Sequence, residues 1–310
     1  MLMKNLLVPT DFSPESHHAF EVALQLAHRL GGNVTLLHVV ELPDSATFST
    51  SGGPGSGLLD GGIDATFTLQ LLHATKQRLQ DQVAHAGRTT PGVPVHEMLR
   101  TARIGPALLQ AIEDHQIDLV VIGAQGHTAW EHFFLGSNSE RLVRLAPCPV
   151  LTVKHAVPDF DPRHIVFPSD FTEEADHAVA GLRRVQALFP EAELHLLHVT
   201  SCEGAPEHAA ARARIMAFAA RHQLAHVRPA VMCTLSPSAG IPDYAHQVGA
   251  DLVVVATHGR TGLSRFLQSS IAETVATHAF PPVLTFHFDQ PLYSAAGESW
   301  SEAMAGAQII

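Results

Sequence analysis

Short apolar runs alternate with amphipathic stretches along almost the whole chain. Leu6-Leu7-Val8 is a strand-length run that stops at Pro9-Thr10-Asp11. Ser13 follows as a helix cap, with Pro14 at the first helical position and Glu15 in the first turn. That helix runs to Gly31-Gly32 and carries Phe20, Ala23, Leu24, Ala27 and Leu30 on one face. Val34–Val40 is the second strand. Pro43–Asp64 is rich in Gly, Ser and Thr and has no period, so it reads as a connection long enough to fold over a ligand. The pattern resumes as a helix from about Ala65 to Gly87, a strand Val93–Leu99, a helix Pro106–His115 and a strand Asp118–Ile122. A fifth strand is expected at Pro149–Val153.

Beyond Pro158 the same order begins again. Ile165-Val166-Phe167-Pro168-Ser169-Asp170-Phe171-Thr172 echoes Leu6-Leu7-Val8-Pro9-Thr10-Asp11-Phe12-Ser13, and Leu196-Leu197-His198-Val199 repeats Leu36-Leu37-His38-Val39. Asp251–Val255 repeats Asp118–Ile122, and Pro282-Val283-Leu284-Thr285 repeats Pro149-Val150-Leu151-Thr152. Four blocks in one order identify an internal duplication with its boundary near Val157–Pro162. Two domains are expected, at residues 1–157 and 158–290, followed by a C-terminal extension at 291–310. Strands alternating with helices imply an α/β architecture of right-handed βαβ units on parallel sheets. Ligands of such doubly wound sheets sit outside the C-terminal strand ends.

The most informative stretch lies at one of those ends. The strand Asp118–Ile122 runs into Gly123-Ala124-Gln125-Gly126, nine further residues, then Gly136-Ser137-Asn138-Ser139, and a helical pattern with Leu142, Val143 and Leu145 follows. A strand, a glycine-bearing loop and a helix start together expose backbone N–H groups to an anion. Glycine lets backbone amides approach phosphate oxygens, and Ser137 and Ser139 add hydroxyl donors. The structural alternative is a tight turn followed by a capped helix.

With these residues in view, each half resembles a universal stress protein domain, and the whole resembles tandem members of that family. The resemblance covers residues 4–155 and 163–288. It implies a five-stranded parallel sheet of order 3-2-1-4-5 in each half and an ATP site, usually with Mg²⁺, at Gly-x2-Gly-x9-Gly-Ser/Thr. By resemblance, Asp11 accepts from the adenine amino group and Val39 touches the base; Pro9 and Thr10, at the same strand end, are expected among the nucleotide-binding residues. Ile122 and Gly123 line the ribose and phosphates, and Gly126, Gly136, Ser137, Asn138 and Ser139 wrap the triphosphate; His127 directly follows Gly126 in the sequence and is expected to reach the phosphates. The second half departs from the pattern: Ala256, Ser269 and Ala272 replace Gly123, Gly136 and Ser139, whereas Gly259, Ser270, Asp170 and Val199 are kept. One functional ATP site is therefore expected, in the first half, with an adenine-sized cleft remaining in the second.

Composition narrows the alternatives. The 310 residues suit two ordinary domains, and 46% hydrophobic with 16% charged residues describes a soluble globular protein. A formal charge of −11 without a basic patch argues against nucleic acid as partner. Lys4, Lys76 and Lys154 are the only lysines, and no Gly-Lys-Ser/Thr occurs, which excludes a Walker P-loop. Cys148, Cys202 and Cys233 are scattered as reduced thiols would be, no apolar stretch reaches membrane-spanning length, and a cytoplasmic location is expected. The 22 histidines form no recognised metal motif, so no metal ligands are assigned. His38 and His198 recur in the duplicated strand, which points to a structural place.

The final strands Pro149–Val153 and Pro282–Phe286 are apolar edges that need covering. In single-domain relatives this edge pairs between subunits, so pairing within the chain is expected, giving an intrachain pseudo-dimer; a homodimer through other surfaces is left open. The leading functional expectation is an ATP-binding stress-response regulator without catalytic residues. Its rivals are a weak ATPase or phosphotransferase at the same site, and a binder of another small molecule or scaffold.

Overall fold

A computed structural model describes residues 3–41, 65–124, 142–200, 205–234, 236–257 and 265–287. The first half consists of β1 (Asn5–Pro9), α1 (Pro14–Leu30), β2 (Asn33–Val40), α2 (Ala65–Thr89), β3 (Val95–Thr101), α3 (Ile104–Asp114), β4 (Leu119–Gly123) and β5 (Val150–Val153). The second consists of β6 (His164–Pro168), a 3₁₀ turn at Glu173–Ala178, α4 (Val179–Leu188), β7 (Glu193–Thr200), α5 (Ala205–Arg221), β8 (Val227–Cys233), α6 (Pro237–Gln247), β9 (Leu252–Thr257), α7 (Arg265–His278) and β10 (Val283–His287). The expected third strand lies two residues further along, and the expected third helix begins at Ile104 rather than Pro106. The Pro43–Asp64 connection and the 291–310 extension lie outside the described residues.

The ten strands among the described residues form one sheet in the order β3-β2-β1-β4-β5-β10-β9-β6-β7-β8. Each half is thus a five-stranded parallel sheet that reverses direction of growth beside its first strand, as the resemblance implied. The halves join where β5 and β10 pair antiparallel, with Val283 opposite Thr152, Leu284 opposite Leu151 and Thr285 opposite Val150. Neither apolar edge is left open. The pseudo-dimer expected from the sequence is the observed arrangement.

Local sequence explains the elements that build this sheet. Ser13 accepts the Ser16 N–H at the start of α1, Pro14 occupies its first turn, and Gly31 ends it in the left-handed region at φ 61. Side chains alternate across the strands, so Leu6, Val8, Leu119 and Val121 join one core while Leu7, Val120 and Ile122 join the other. The first core, under α1, α2, α4 and α5, is continuous across the halves through Leu151, Val153, Leu284 and Phe286. Gln25 on α1 strengthens the junction by donating to the Val157 carbonyl at 3.1 Å and accepting the Phe160 N–H at 2.6 Å. Arg29 adds an ion pair to Asp161 at 2.7 Å.

Candidate functional site

The C-terminal ends of β1, β2 and β4 lie side by side, because β1 pairs with both of the others. Pro9 is the last residue of β1, and the Thr10 N–H continues the ladder by donating to the Leu37 carbonyl at 2.8 Å. Val39 stands two residues beyond Leu37, and Ile122 and Gly123 end β4. Pro9, Thr10, Asp11, Val39, Ile122 and Gly123 therefore share one end of the sheet. Gly126, His127, Gly136, Ser137, Asn138 and Ser139 lie outside the described residues.

The turn after β1 is held in one shape by its own side chains. The exposed Asp11 carboxylate accepts the Ser13 N–H through Oδ1 at 2.9 Å, an Asx turn. Thr10 is buried; its Oγ1 accepts the Phe12 N–H at 3.1 Å and lies 3.1 Å from the Ser16 hydroxyl, which itself donates to the Ser13 carbonyl. These bonds keep Phe12 at φ 64, a left-handed conformation uncommon for a bulky residue. The Phe12 ring lies 4.7 Å from the His38 ring and 4.1 Å from the Arg78 guanidinium. Partial burial works against ionisation of Asp11, but hydrogen bonds from Ser13 and Ser16 outweigh it and hold the carboxyl below its usual pKa. The group presented at this end of the sheet is thus an ionised, acceptor-only carboxylate.

The same turn recurs in the second half. Asp170 accepts the Thr172 N–H at 3.1 Å and the Thr172 hydroxyl at 3.0 Å, Ser169 Oγ accepts the Phe171 N–H at 3.1 Å, and Phe171 sits at φ 55. The recurrent histidines have a common role: Nδ1 of His38 donates to the Thr10 carbonyl at 2.6 Å, and Nδ1 of His198 donates to the Ser169 carbonyl at 3.1 Å. Each clasps the turn to the next strand, as their repetition suggested. The aromatic in the left-handed position was the signal that pattern reading passed over. It was available in the sequence as Asp-Phe-Ser and Asp-Phe-Thr at matching places.

The strand ends of the second half enclose a cavity of about 190 Å³. Its walls include Pro168, Ser169, Asp170, Val199, Val255 and Ala256, the repeat counterparts of Pro9, Thr10, Asp11, Val39, Ile122 and Gly123. That volume lies below the roughly 300–1,000 Å³ of pockets for drug-sized ligands and suits a group of nucleobase size.

Gly123 answers to packing as well as to any ligand. A Cβ at Gly123 would lie 2.5 Å from the Glu15 carbonyl oxygen and 2.6 Å from the Ser16 nitrogen, so β4 ends directly against the first turn of α1. The second half carries Ala256 there, and Ala175 replaces Ser16. Its helix correspondingly begins as the 3₁₀ turn Glu173–Ala178, whose cap Thr172 makes no side-chain cap bond. The second half thus lacks both the glycine and the α-helical start.

A family model described as the universal stress protein family matches this chain twice, at residues 3–154 and 162–287. A universal stress protein of Synechocystis is 25% identical over 295 residues, which cover 92% of this chain and 100% of that protein. The crystal structure of a universal stress protein from Archaeoglobus fulgidus superposes with a TM-score of 0.67 at 18% identity, covering 93% of this chain and 100% of that one. A Pseudomonas aeruginosa protein described as functionally unknown superposes with a TM-score of 0.58 at 19% identity over 92% of each chain. The structural likenesses show the fold, and the double match of the family model shows the kinship. The chain belongs to the universal stress protein family.

Proposed function

We propose that this chain binds ATP in its first half, with Mg²⁺ on the phosphates, and that the nucleotide state sets its conformation or its choice of protein partner in the cytoplasm. The observation that carries this reading is the cavity at the strand ends of the repeat. Six of its walls in the second half correspond to the six described site residues of the first. The first half adds the complete glycine pattern Gly123 to Ser139, which the second half interrupts at Ala256, Ser269 and Ala272.

In this reading Asp11 accepts from the adenine amino group, Val39 packs on the base, and Ile122 and Gly123 line the ribose and the first phosphates. Gly126, His127, Gly136, Ser137, Asn138 and Ser139 wrap the triphosphate. The ionised state of Asp11 fits its part, because an acceptor-only group attracts the adenine amino group and repels the guanine carbonyl. A route to the second half follows from the topology: β5 pairs with β4 at the cleft on one side and with β10 on the other. Hydrolysis is slow in this reading, since the site supplies positioning groups rather than charges for the transition state.

Calorimetric titration of the whole chain with MgATP tests the proposal. One site per chain is expected, with weaker binding of GTP and loss of binding in Gly126→Val. Two equivalent sites, or binding indifferent to Gly126→Val, would refute it. A second reading, in which the other cleft takes a base-bearing ligand without a triphosphate, is favoured by the cavity beside Asp170 and predicts adenosine binding that survives Gly126→Val.

A further inference from the structure

At the far end of the second half's sheet, away from the cleft, three side chains converge that no part of the nucleotide reading uses. His164 opens β6 and Glu193 opens β7, and the two are register partners. His195 lies two residues along β7, so it projects from the same face as Glu193. Nε2 of His195 is 3.0 Å from Oε2 of Glu193, Nδ1 of His164 is 3.5 Å from that same oxygen, and the two imidazole nitrogens are 3.4 Å apart.

We propose that His164, Glu193 and His195 form a binding site for a divalent transition metal of the zinc class. The first argument is metric. A tetrahedral Zn²⁺ with bonds of about 2.0–2.1 Å sets neighbouring ligand atoms roughly 3.3–3.4 Å apart. The three separations bracket that edge, so one ion at the centre reaches all three atoms with little rearrangement. Two imidazoles and one carboxylate are also the donors that zinc takes in sites with an open fourth position. His164 and Glu193 are 44% and 39% exposed, which gives the ion a path in and leaves that position to water.

The second argument concerns what holds the ligands. His195 is fully buried, and its other nitrogen, Nδ1, lies 3.0 Å from the Tyr244 hydroxyl of α6. An N–H donated from Nδ1 to that hydroxyl leaves the Nε2 lone pair aimed at Glu193 and His164. Such an outer partner fixes the tautomer and orientation of a metal-bound imidazole. The third argument is an internal control. In the first half the same three positions are Asn5, Asn33 and Thr35, and the amides simply bond each other at 2.9 Å, Asn33 to Asn5. The fold is therefore satisfied there by neutral groups, and the ligand set is particular to the second half. Arg228 approaches the same Glu193 oxygen at 3.3 Å from β8 and opposes a cation, so it sets the affinity from the other side.

The test is a Zn²⁺ titration of the metal-stripped 310-residue chain in competition with a chromogenic chelator, with circular dichroism to check folding. Variants His164→Asn and Glu193→Asn install the first half's own residues at exposed positions. One tight site is expected, weakened at least about 100-fold in either variant, beyond the 10–100-fold typical of losing an outer partner. Tyr244→Phe should weaken it by about 10-fold, and Arg228→Gln should strengthen it. A second histidine–carboxylate cluster, His17, Glu21 and His85 between α1 and α2, supplies the control: His85→Ala should leave the tight site intact. Wild-type affinity no greater than that of His164→Asn, or loss of the tight site in His85→Ala, overturns the proposal.

Discussion

Leu151 stands directly opposite Leu284 in the antiparallel pair that joins the halves, and the two are the same position of the duplicated sequence. The flanking pairs, Thr152 with Val283 and Val150 with Thr285, are likewise exchanged copies. A pseudo-twofold axis thus passes between the two leucines, the geometry of an isologous dimer interface within one chain. Both are buried, at 2% and 7% exposure, and both join the core under α1 and α4. Leu151→Lys places an ammonium there without a partner and should lower stability by about 3–5 kcal/mol. Leu284→Glu in the same chain should recover part of that loss. Urea unfolding of the single and double variants checks this; a lysine variant as stable as the wild type would contradict the interface.

The symmetry is imperfect one residue away, which gives a pair of opposite effects. The Thr285 hydroxyl donates to the Val150 carbonyl at 3.3 Å, whereas the Thr152 hydroxyl is buried at 1% exposure and finds no hydrogen-bond partner among the described residues. Thr152→Val removes an unsatisfied polar atom at nearly constant volume and should stabilise the protein by about 1 kcal/mol. Thr285→Val removes a made bond and should destabilise it by a similar amount. Thermal melting of the two variants should move in opposite directions; shifts of the same sign would show that the hydroxyls are equivalent in solution.

Gly123 and Ala256 provide a second comparison between the halves. A methyl group on Gly123 meets the backbone of Glu15 and Ser16, which cannot rotate away as a side chain would. Gly123→Ala should destabilise the first half by about 1–3 kcal/mol, the range for overpacking, before any effect on a ligand. Ala256→Gly should be mild, because it removes only one methyl from a part-buried position. Hydrogen exchange of the α1 amides in Gly123→Ala should show the damage confined to its first turn. Protection equal to the wild type would mean that the helix start moves freely.

Much of this was legible in the chain, and for stated reasons. The strands at Leu6–Val8 and Ile165–Phe167 are apolar runs too short for helices, and the repeated blocks established two equivalent halves before any contact was known. The edge strands were legible because uncovered apolar edges must be paired. The helix starts were only half legible. Ser13 and Thr172 look alike in sequence, yet only Ser13 caps an α-helix; Pro14 and Ser16 follow Ser13 where Glu173 and Ala175 follow Thr172. The His164, Glu193 and His195 cluster was not read at all, and no metal had been assigned. Its residues come from two strands whose register is a tertiary fact, and Glu-x-His alone signals only a shared face. Of the proposed nucleotide site, Asp11 and Val39 share one end of the sheet, and the glycine loop from Gly126 to Ser139 lies outside the described residues.

The junction also carries a titratable group whose effect on stability can be given a sign. Lys154 follows β5, is buried at 6% exposure, and donates from Nζ to the Ala279 carbonyl beyond α7 at 2.6 Å. Burial penalises the ammonium and pushes its pKa down to about 7 from 10.5. In the unfolded chain the amine keeps its ordinary value, so between about pH 7 and 10.5 the unfolded state binds the extra proton. Raising the pH through that window therefore favours the fold, by up to about 1.4 kcal/mol per unit. Below about 7 both states are protonated and the full desolvation cost is present. The buried thiol of Cys148 acts in the opposite sense at higher pH, since burial raises its pKa from 9.0 to about 12 and the unfolded thiol ionises first. The two effects separate by comparison with Lys154→Met, which keeps Cys148. That variant loses the bond to Ala279, a cost of about 1–3 kcal/mol that does not depend on pH. The wild type should therefore gain on the variant steadily from pH 7 to 10 in urea midpoints measured at each pH. A difference that stays flat across that range would mean that Lys154 keeps its ordinary pKa and that the junction leaves its ammonium hydrated.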